Sequence, residues 1–262
     1  ALAVAGGALA WLLLRPAVVL KSVTERRIPF TRLPGGEYQP AFSAQGTKVA
    51  VTWEGDDGQP SSIWIRSVDE DSPTPAAAAA GIAYSSPAWS PDAHHLAMLR
   101  KQSGTLTLVV RPDRGTAERE VTRLFPARYG LTARQVDWSP DGRLFVISDK
   151  DQAEKSFQLY LVDAQTGVRR VLTNPNDGGI GDTDPRFSPD GRRVSFVRMS
   201  SRFHQDLYST GTDGVGGEQK HSHDDRRVGG QDWSADGNSL YWASDRDGQF
   251  RIWRVRTATG AK

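Results

Sequence analysis

The sequence contains no cysteine among its 262 residues. Disulfide bonds, thiolate metal sites and cysteine nucleophiles are therefore excluded, while the compartment stays open. An excess of charge of one sign is also lacking, because 33 basic and 31 acidic residues leave a net charge of +2. Five of the basic residues fall within residues 1–40, so the remaining 222 residues carry 28 basic against 29 acidic groups. That balance offers no basic footprint for nucleic acid, and we expect none to bind.

Signatures of catalysis are missing as well. The sequence contains no G-x-S-x-G motif, which would place a serine nucleophile on an α/β-hydrolase turn, and it lacks the alternation of strands and helices that such a domain requires. No residue type recurs in a pattern that predicts a cofactor. We therefore expect these residues to form no enzyme active site and to hold no cofactor.

Long apolar runs are rare, and the longest opens the chain. Fourteen uncharged, mostly apolar residues precede Arg15-Pro16, and as a helix they would span about 21 Å of the roughly 30 Å of a bilayer's hydrocarbon. We interpret residues 1–20 as the distal part of a transmembrane helix and residues 21–27 as a linker. A signal peptide and a buried helix are the alternatives. The helix would anchor the chain in the inner membrane with its body in the periplasm; the alternative location is soluble and periplasmic.

The rest of the chain is built from a repeat of about 47 residues. Its central aromatic recurs at intervals of 47, 49, 49 and 46 residues, and each copy continues into a Ser-x-x-Gly-like turn. A period of this length predicts stacked supersecondary units that share their cores. The central aromatics are Phe42, Trp89, Trp138, Phe187 and Trp233.

The third copy shows the unit most clearly. Residues 135–138, 143–147, 157–162 and 169–173 each have the apolar, β-branched pattern of a short strand, and turn residues separate them. In its first turn, Pro140 presets φ and Gly142 takes the positive φ of a bulged hairpin. Four antiparallel strands per repeat predict an all-β fold, the β-propeller, with one blade per repeat. The fourth strands of the first and fourth blades are weak, at the alanine run 76–80 and at residues 219–223.

The repeat resembles a known family. The pattern W-S-P-D-G, then an apolar strand, then L-Y-x-V-D and R-x-L-T, is similar to the TolB-type, WD40-like (PD40) β-propeller repeat, over residues 28–262. The turns that carry the resemblance depart from it at Ala44-Gln45, Ala93 and Ala235. The repeat-turn residues are Ser90, Pro91, Asp92, Ser139, Pro140, Asp141, Gly142, Ser188, Pro189, Asp190, Gly191, Ser234, Asp236 and Gly237.

The phase of the repeat leaves the number of blades open. Residues 28–33 have the pattern of a fourth strand and precede the first full unit, whereas residues 259–262 stand where another fourth strand would begin. The first segment could complete the fifth blade of a closed five-bladed ring. We favour the alternative, in which the five visible repeats belong to a ring of six or seven blades.

Other residues are candidates for binding. Residues 221–225 concentrate two histidines and two aspartates, but we expect a solvated segment there and no metal site. We expect Asx turns, rather than calcium loops, in the acidic segments 174–177, 182–184 and 245–248. The central aromatics should pack between blades, whereas Trp53, Trp64, Trp242 and Trp253 could face a partner. Three residues should lie near the central channel, where propellers often bind ligands: Arg128, Tyr129 and Arg134.

The resemblance implies a function outside catalysis. Similar propellers form the C-terminal parts of bacterial membrane-anchored regulators that carry a winged-helix DNA-binding domain or a kinase domain upstream of the helix. By that resemblance, we expect a sensor or protein-interaction propeller that binds a protein or small ligand on one face. The alternatives are a periplasmic scaffold similar to TolB and the propeller gate of a prolyl oligopeptidase-type peptidase.

Overall fold

The computed structural model describes residues 30–55, 58–70, 72–126, 134–175 and 178–257. Their regular elements are all β-strands, and this part of the chain contains no helix with the length and apolarity needed to cross a membrane. The predicted membrane helix of residues 1–20 and the linker of residues 21–27 lie outside the described residues. The account below concerns the compact unit that begins at Leu33.

The strands form five antiparallel sheets, the blades, in which each strand pairs with the next along the chain. The predicted all-β propeller is therefore confirmed. In chain order the strands are β1 (Gly36–Phe42), β2 (Lys48–Glu54), β3 (Ser62–Ser67) and β4 (Thr74–Ala77) in blade 1; β5 (Ile82–Trp89), β6 (His95–Gln102), β7 (Thr105–Pro112) and β8 (Arg119–Leu124) in blade 2; β9 (Val136–Trp138), β10 (Leu144–Asp149), β11 (Gln158–Asp163) and β12 (Arg169–Val171) in blade 3; β13 (Gly181–Phe187), β14 (Arg193–Met199), β15 (Gln205–Gly211) and β16 (Glu218–Lys220) in blade 4; and β17 (Val228–Trp233), β18 (Ser239–Ser244) and β19 (Arg251–Arg256) in blade 5.

Both weakly predicted fourth strands exist. In blade 1, β4 takes up the start of the alanine run, and in blade 4, β16 ends just before His221. Blade 5 has three strands within the described residues. The predicted strand at 28–33 is wrong for its described part, because residues 30–33 form no strand. The backbone N–H of Leu33 instead donates to the Glu37 side chain at 3.3 Å, which closes a turn ahead of β1.

The first strand of each blade lies against the first strand of the next, so these five strands form the inner wall around the propeller axis. Four of them carry a β-bulge three residues before the central aromatic. The bulged residue has a positive φ in each case: 52° at Gln39, 54° at Ser86, 50° at Asp184 and 60° at Gly230. A bulge changes the direction in which the following side chains point. It therefore determines which side chains face the axis.

The apolar core lies between blades rather than within them. Four buried clusters join blade 1 to blade 2, blade 2 to blade 3, blade 3 to blade 4, and blade 4 to blade 5. Trp89, Phe187 and Trp233 each sit in the cluster that joins their own blade to the preceding one. Trp138 is partly buried and packs against Phe145 with their ring centroids 4.5 Å apart.

Phe42 departs from the predicted inter-blade packing. Its side chain is 68% exposed, whereas Trp89 at the equivalent position of blade 2 is 7% exposed. The reason is positional: each central aromatic packs on the preceding blade, and no described residue forms a blade before blade 1. At the other end, Ile252 of β19 is 79% exposed. A ring of six or seven blades stays a prediction.

Candidate binding site on the propeller axis

Each repeat turn directly follows the central aromatic, which is the last residue of the inner strand. In four of them the Ser hydroxyl donates to the Asp carboxylate two residues later at 2.5 to 2.6 Å, and the same hydroxyl accepts the backbone N–H five residues later at 2.9 Å. The hydroxyl bond lowers the pKa of Asp92, Asp141 and Asp236, the last to about 2. The Ser and Asp side chains of each turn are therefore hydrogen-bonded within that turn. They are built from Ser90, Pro91 and Asp92; Ser139, Pro140, Asp141 and Gly142; Ser188, Pro189, Asp190 and Gly191; and Ser234, Asp236 and Gly237.

The turns of neighbouring blades also touch. A Cβ added to Gly142 would lie 3.8 Å from the Pro91 ring, and one added to Gly191 would lie 3.5 Å from Pro140. Gly142 has φ 76°, as its turn requires, and Ala93, which replaces glycine in blade 2, still has φ 58°. The departure at Ala93 therefore leaves the turn geometry unchanged.

The histidine-rich segment 221–225 does not converge on one point. His221 Nε2 lies 2.7 Å from the Ser209 hydroxyl, while Asp224 Oδ2 accepts from Trp242 Nε1 at 2.9 Å. Burial, assisted by the nearby Arg193 charge, lowers the pKa of His221 to about 4. Across the described part of the chain, no three His, Asp or Glu side chains are arranged to hold a metal ion.

One acidic segment differs from the predicted turns, whereas in segment 245–248 the Asp247 carboxylate accepts the Gln249 N–H at 3.3 Å, as an Asx turn does. Asp182 belongs to β13, so the prediction of an Asx turn at 182–184 is wrong; its carboxylate instead accepts two hydrogen bonds from Arg198 at 2.7 and 2.8 Å. Asp245 begins a turn closed by the Gly248 N–H and also pairs with Arg227. Segment 174–177 lies partly outside the described residues. The observed carboxylates are thus held by arginines.

The tryptophans outside the central position are partly or fully buried. Trp53 and Trp64 pack edge to face at 5.5 Å, and each indole N–H has an acceptor. Trp242 is 4% exposed, and Trp253 is partly buried against the cluster between blades 4 and 5. These rings serve packing in the described structure.

Charged side chains gather where the inner strands of blades 3, 4 and 5 meet. The residue just before the central aromatic is Ala41 and Ala88 in blades 1 and 2, but it is charged in the other three blades. We call the resulting group the axial cluster. It consists of Arg134, Asp137, Asp184, Arg186 and Asp232.

Hydrogen bonds across the blades fix the wall around this cluster. The Phe187 N–H donates to Asp137 Oδ2 at 2.8 Å, and the Asp184 N–H donates to the Arg134 carbonyl at 3.1 Å. The buried Gln231 side chain donates to the Asp184 carbonyl at 2.7 Å. Three adjacent blades are therefore tied together at the axis by polar groups with defined positions.

The electrostatics of the cluster depart from those of surface groups. Burial lowers the pKa of Arg134 to about 9; Arg186 acts in the same direction, and the charges of three aspartates oppose both. Burial raises the pKa of Asp137 against the influence of Arg186. Charges withdrawn from water in this way are typical of functional sites, although structural networks also produce them.

Sequence reasoning placed Arg134 near the channel but did not predict the other four residues of the axial cluster. Arg128 and Tyr129 lie outside the described residues. Asp137, Arg186 and Asp232 had a signal that alignment of the repeats would have revealed, because they occupy one repeat position. Asp184 had no such signal in the sequence, since the orientation of its side chain depends on the bulge.

Comparison with known proteins identifies the family. Residues 9–219 match the family described as the TolB beta propeller domain, PD40. The chain belongs to this TolB-type propeller family. An uncharacterised protein from Agrobacterium fabrum is 31% identical over 176 residues, which cover 66% of this chain and 55% of that protein. The chain thus spans about half the length of that relative.

Two further comparisons bear on the use of the fold. Dipeptidyl-peptidase 5 of Porphyromonas gingivalis is 25% identical over 134 residues, which cover 47% of this TolB-type chain and 19% of the peptidase. TolB from Acinetobacter baumannii superposes with a TM-score of 0.64 at 16% identity, over 86% of this chain and 55% of that one. At that identity the likeness to TolB concerns the fold alone.

Proposed function

We propose that this TolB-type propeller is the non-catalytic, protein-binding part of a membrane-anchored bacterial regulatory protein. The observation that carries the proposal is the axial cluster, in which the Nε–H of the partly exposed Arg134 is shielded from water and has no hydrogen-bonding partner among the described residues. A shielded N–H group without an acceptor is costly to stability, and such costs are characteristic of sites kept for binding. The apolar run before Arg15 supports anchoring, and the propeller would then lie in the periplasm.

A serine–histidine pair in blade 4 is engaged in structure, which argues against the use of this pair in catalysis. The Ser209 hydroxyl, which lies beside His221 in the manner of a nucleophile and its base, is fully buried, and Arg193 Nη2 also donates to it at 2.6 Å. A buried hydroxyl held from both sides cannot approach a substrate. We therefore assign the Ser209–His221 pair to the packing of blade 4.

Two other functions have specific support. Similarity to a part of dipeptidyl-peptidase 5 favours the propeller of a peptidase whose catalytic domain lies outside these residues. The structural likeness to TolB favours an envelope scaffold that contacts protein partners. The complete reading frame tests all three. A winged-helix or kinase domain upstream supports the regulator, a downstream hydrolase domain with a G-x-S-x-G turn replaces it with the peptidase, and a cleaved signal peptide replaces it with the scaffold.

Binding at the axis is tested directly by photocrosslinking in cells. Gly229 is exposed on the inner strand of blade 5, and a side chain there would meet only the Phe250 ring, at 3.8 Å. A benzophenone amino acid at position 229 should crosslink a discrete protein. The matched control is position 171 on the outer strand β12, where Val171 is 54% exposed. Equal labelling from both positions, or none from either, would contradict a partner at the axis.

A further inference from the structure

Among the described residues of the inner wall, a side-chain N–H group of Arg134 lacks a hydrogen-bonding partner. The Nε of Arg134 is shielded from water, and no atom in the described part of the chain lies within hydrogen-bonding distance of it. Arg134 as a whole is partly exposed, and the partial loss of water around its guanidinium is the main reason why the pKa of Arg134 falls to about 9. An arginine in a finished structural network would instead direct its five N–H groups at acceptors.

The aspartates near Arg134 are committed elsewhere. Asp137 Oδ2 accepts the Phe187 N–H at 2.8 Å, and Asp232 Oδ1 accepts the Trp233 N–H at 2.8 Å. Asp184 lies 3.6 Å from Arg186. These carboxylates influence Arg134 through their charge, but within the described residues none forms an ion pair with it. The Nε–H edge of the guanidinium is therefore available to an external acceptor.

Access to the cluster comes from the side of blade 5. Asp232 is exposed, whereas Asp184 and Arg186 are buried. The exposure of the cluster's side chains therefore decreases from Asp232 toward the inner wall. Asp184 also lines a cleft of about 370 Å³ whose other walls include Val197, Met199 and Phe250. A ligand in this cleft thus has both the polar surface of Asp184, the member of the cluster that lines it, and apolar surfaces to contact.

We propose that the axial cluster binds a single carboxylate group of a protein partner, with Arg134 as its receptor. This inference rests on the proposed protein-binding function and names the chemistry of that site. A planar carboxylate accepts two parallel N–H groups from a guanidinium, and this geometry makes the pair strong and directional. Both a free C-terminus and an Asp or Glu side chain carry the group.

The charge of the cluster favours a monoanion over a phosphate. Two arginines face three aspartates, so a fully ionised cluster carries one net negative charge. That excess opposes the binding of any anion, and it opposes a dianion about twice as strongly as a monoanion, because the repulsion is proportional to the charge of the ligand. A carboxylate adds half the charge of a dianion and fits the fork. The apolar walls of the cleft additionally favour a carboxylate next to an apolar residue.

The test uses two ligands that differ only in the proposed group. N-acetyl-leucine has a free carboxylate, and N-acetyl-leucinamide is its neutral counterpart. In the full 262-residue chain, the carboxylate should shift the Arg134 Nε–Hε NMR signal saturably, whereas the amide should not. Equal shifts from both ligands, or no shift from either, overturns the proposal. A stronger shift from inorganic phosphate overturns the carboxylate assignment.

Variants connect the signal to the residue. Arg134→Gln should weaken carboxylate binding by roughly tenfold or more, because a lost charge-assisted pair of about 1.4 kcal/mol or more changes affinity by that factor. Arg134→Lys keeps the charge but loses the fork, and its binding should be intermediate. Arg143→Gln removes an exposed arginine in a repeat turn and should bind as wild type. Unchanged binding by Arg134→Gln overturns the proposal. If Arg134→Gln fails to fold, the comparison of ligands on the wild-type chain still decides.

Two further comparisons identify the source of the carboxylate and distinguish a failure of this inference from a failure of the proposed function. N-acetyl-glutamate α-amide, whose only free carboxylate is on the side chain, replaces N-acetyl-leucine in the first arm. Stronger binding of this ligand would assign an Asp or Glu of the partner, and weaker binding a C-terminus. Crosslinking from position 229 without any carboxylate-specific shift would overturn this inference and leave the protein-binding function standing. A carboxylate-specific shift without crosslinking would support the receptor and contradict the protein partner.

Discussion

The backbone N–H of Phe187 in blade 4 donates a 2.8 Å hydrogen bond to Oδ2 of Asp137 in blade 3. The carboxylate thus ties two blades together at the axis and also supplies negative charge near Arg134. Burial raises the pKa of Asp137. One residue thereby contributes to both the packing of the blades and the electrostatics of the proposed receptor.

We expect Asp137→Ala to destabilise the fold by about 1–3 kcal/mol, because a buried N–H then loses its acceptor. Asp137→Asn keeps an acceptor oxygen and should cost less. Chemical denaturation measures both values, with Glu154→Ala, an exposed site, as the control. Equal losses for the two Asp137 variants would mean that the charge, and not the hydrogen bond, matters at this position.

A second prediction concerns the same repeat position in two blades. Trp89 is buried and donates from its indole to the Ala41 carbonyl of blade 1 at 3.0 Å, whereas Phe42 is 68% exposed. Trp89→Ala should cost about 3–5 kcal/mol. Phe42→Ala should stay within about 0.5 kcal/mol, as exposed sites do. If Phe42→Ala destabilises as strongly as Trp89→Ala in denaturation, another surface covers blade 1 in solution.

The sequence predicted the strands well because each blade repeats a local pattern. The period of the aromatics, the Ser-x-x-Gly turns and the apolar alternation determine β9 to β12 to within a few residues. The weakly predicted strands β4 and β16 form because the backbone of the preceding strand, β3 or β15, pairs with each of them in an antiparallel ladder. Local composition was misleading at residues 30–33, where a side chain of Glu37 captures the Leu33 N–H.

The candidate site was harder to predict because it depends on non-local geometry. The positive φ of Gln39, Ser86 and Asp184 has no sequence signal, since these residues are not glycine. Shielding of the Arg134 Nε from water results from the meeting of three inner strands, and no single repeat contains that information. Likewise, exposure of Phe42 reflects the absence of a neighbouring blade in the described residues.

A third prediction uses the turns of blades 2 and 3. Gly142→Ala should cost about 1–2 kcal/mol, because φ 76° is strained for alanine. The converse change, Ala93→Gly, should be nearly neutral. Relief of strain at φ 58° is offset by loss of a buried methyl, worth about 0.8 kcal/mol, and by added freedom of the unfolded chain. Thermal unfolding of both variants checks this asymmetry; symmetrical and opposite shifts would show that strain alone decides.

A fourth prediction follows from the self-bonded turn of blade 5. The Ser234 hydroxyl and the Asn238 N–H bind the Asp236 carboxylate, which lowers the pKa of Asp236 to about 2. The native state therefore favours the ionised form. This contribution is present above the ordinary pKa of 3.8 and is lost as the pH falls from there toward 2.

Asp236→Asn should accordingly lower the melting temperature at neutral pH and match the wild type near pH 2. Ser234→Ala removes the largest cause of the pKa shift, so it should reduce the pH dependence without abolishing it. Melting curves measured across that acidic range provide the comparison. A difference between Asp236→Asn and wild type that does not change with pH would rule out this origin.

The last prediction concerns His221 and separates packing from metal binding. Arg193 Nη2 donates to the Ser209 hydroxyl at 2.6 Å, which leaves that hydroxyl to donate to His221 Nε2 at 2.7 Å. Burial, assisted by the Arg193 charge, lowers the pKa of His221 from 6.5 to about 4, so the native state favours the neutral ring. Stability from this group is present above pH 6.5 and is lost as the pH falls toward 4.

An NMR titration should therefore show His221 changing charge near pH 4. Ser209→Ala removes the hydrogen bond but leaves burial, the larger cause, so the pKa should stay below the ordinary value of a histidine. Addition of Zn²⁺ or Ni²⁺ should leave the melting temperature unchanged, because the Nε2 lone pair of His221 already accepts the Ser209 proton and Asp224 is held by Trp242. A rise in melting temperature that His221→Asn abolishes would instead establish a metal site in this segment.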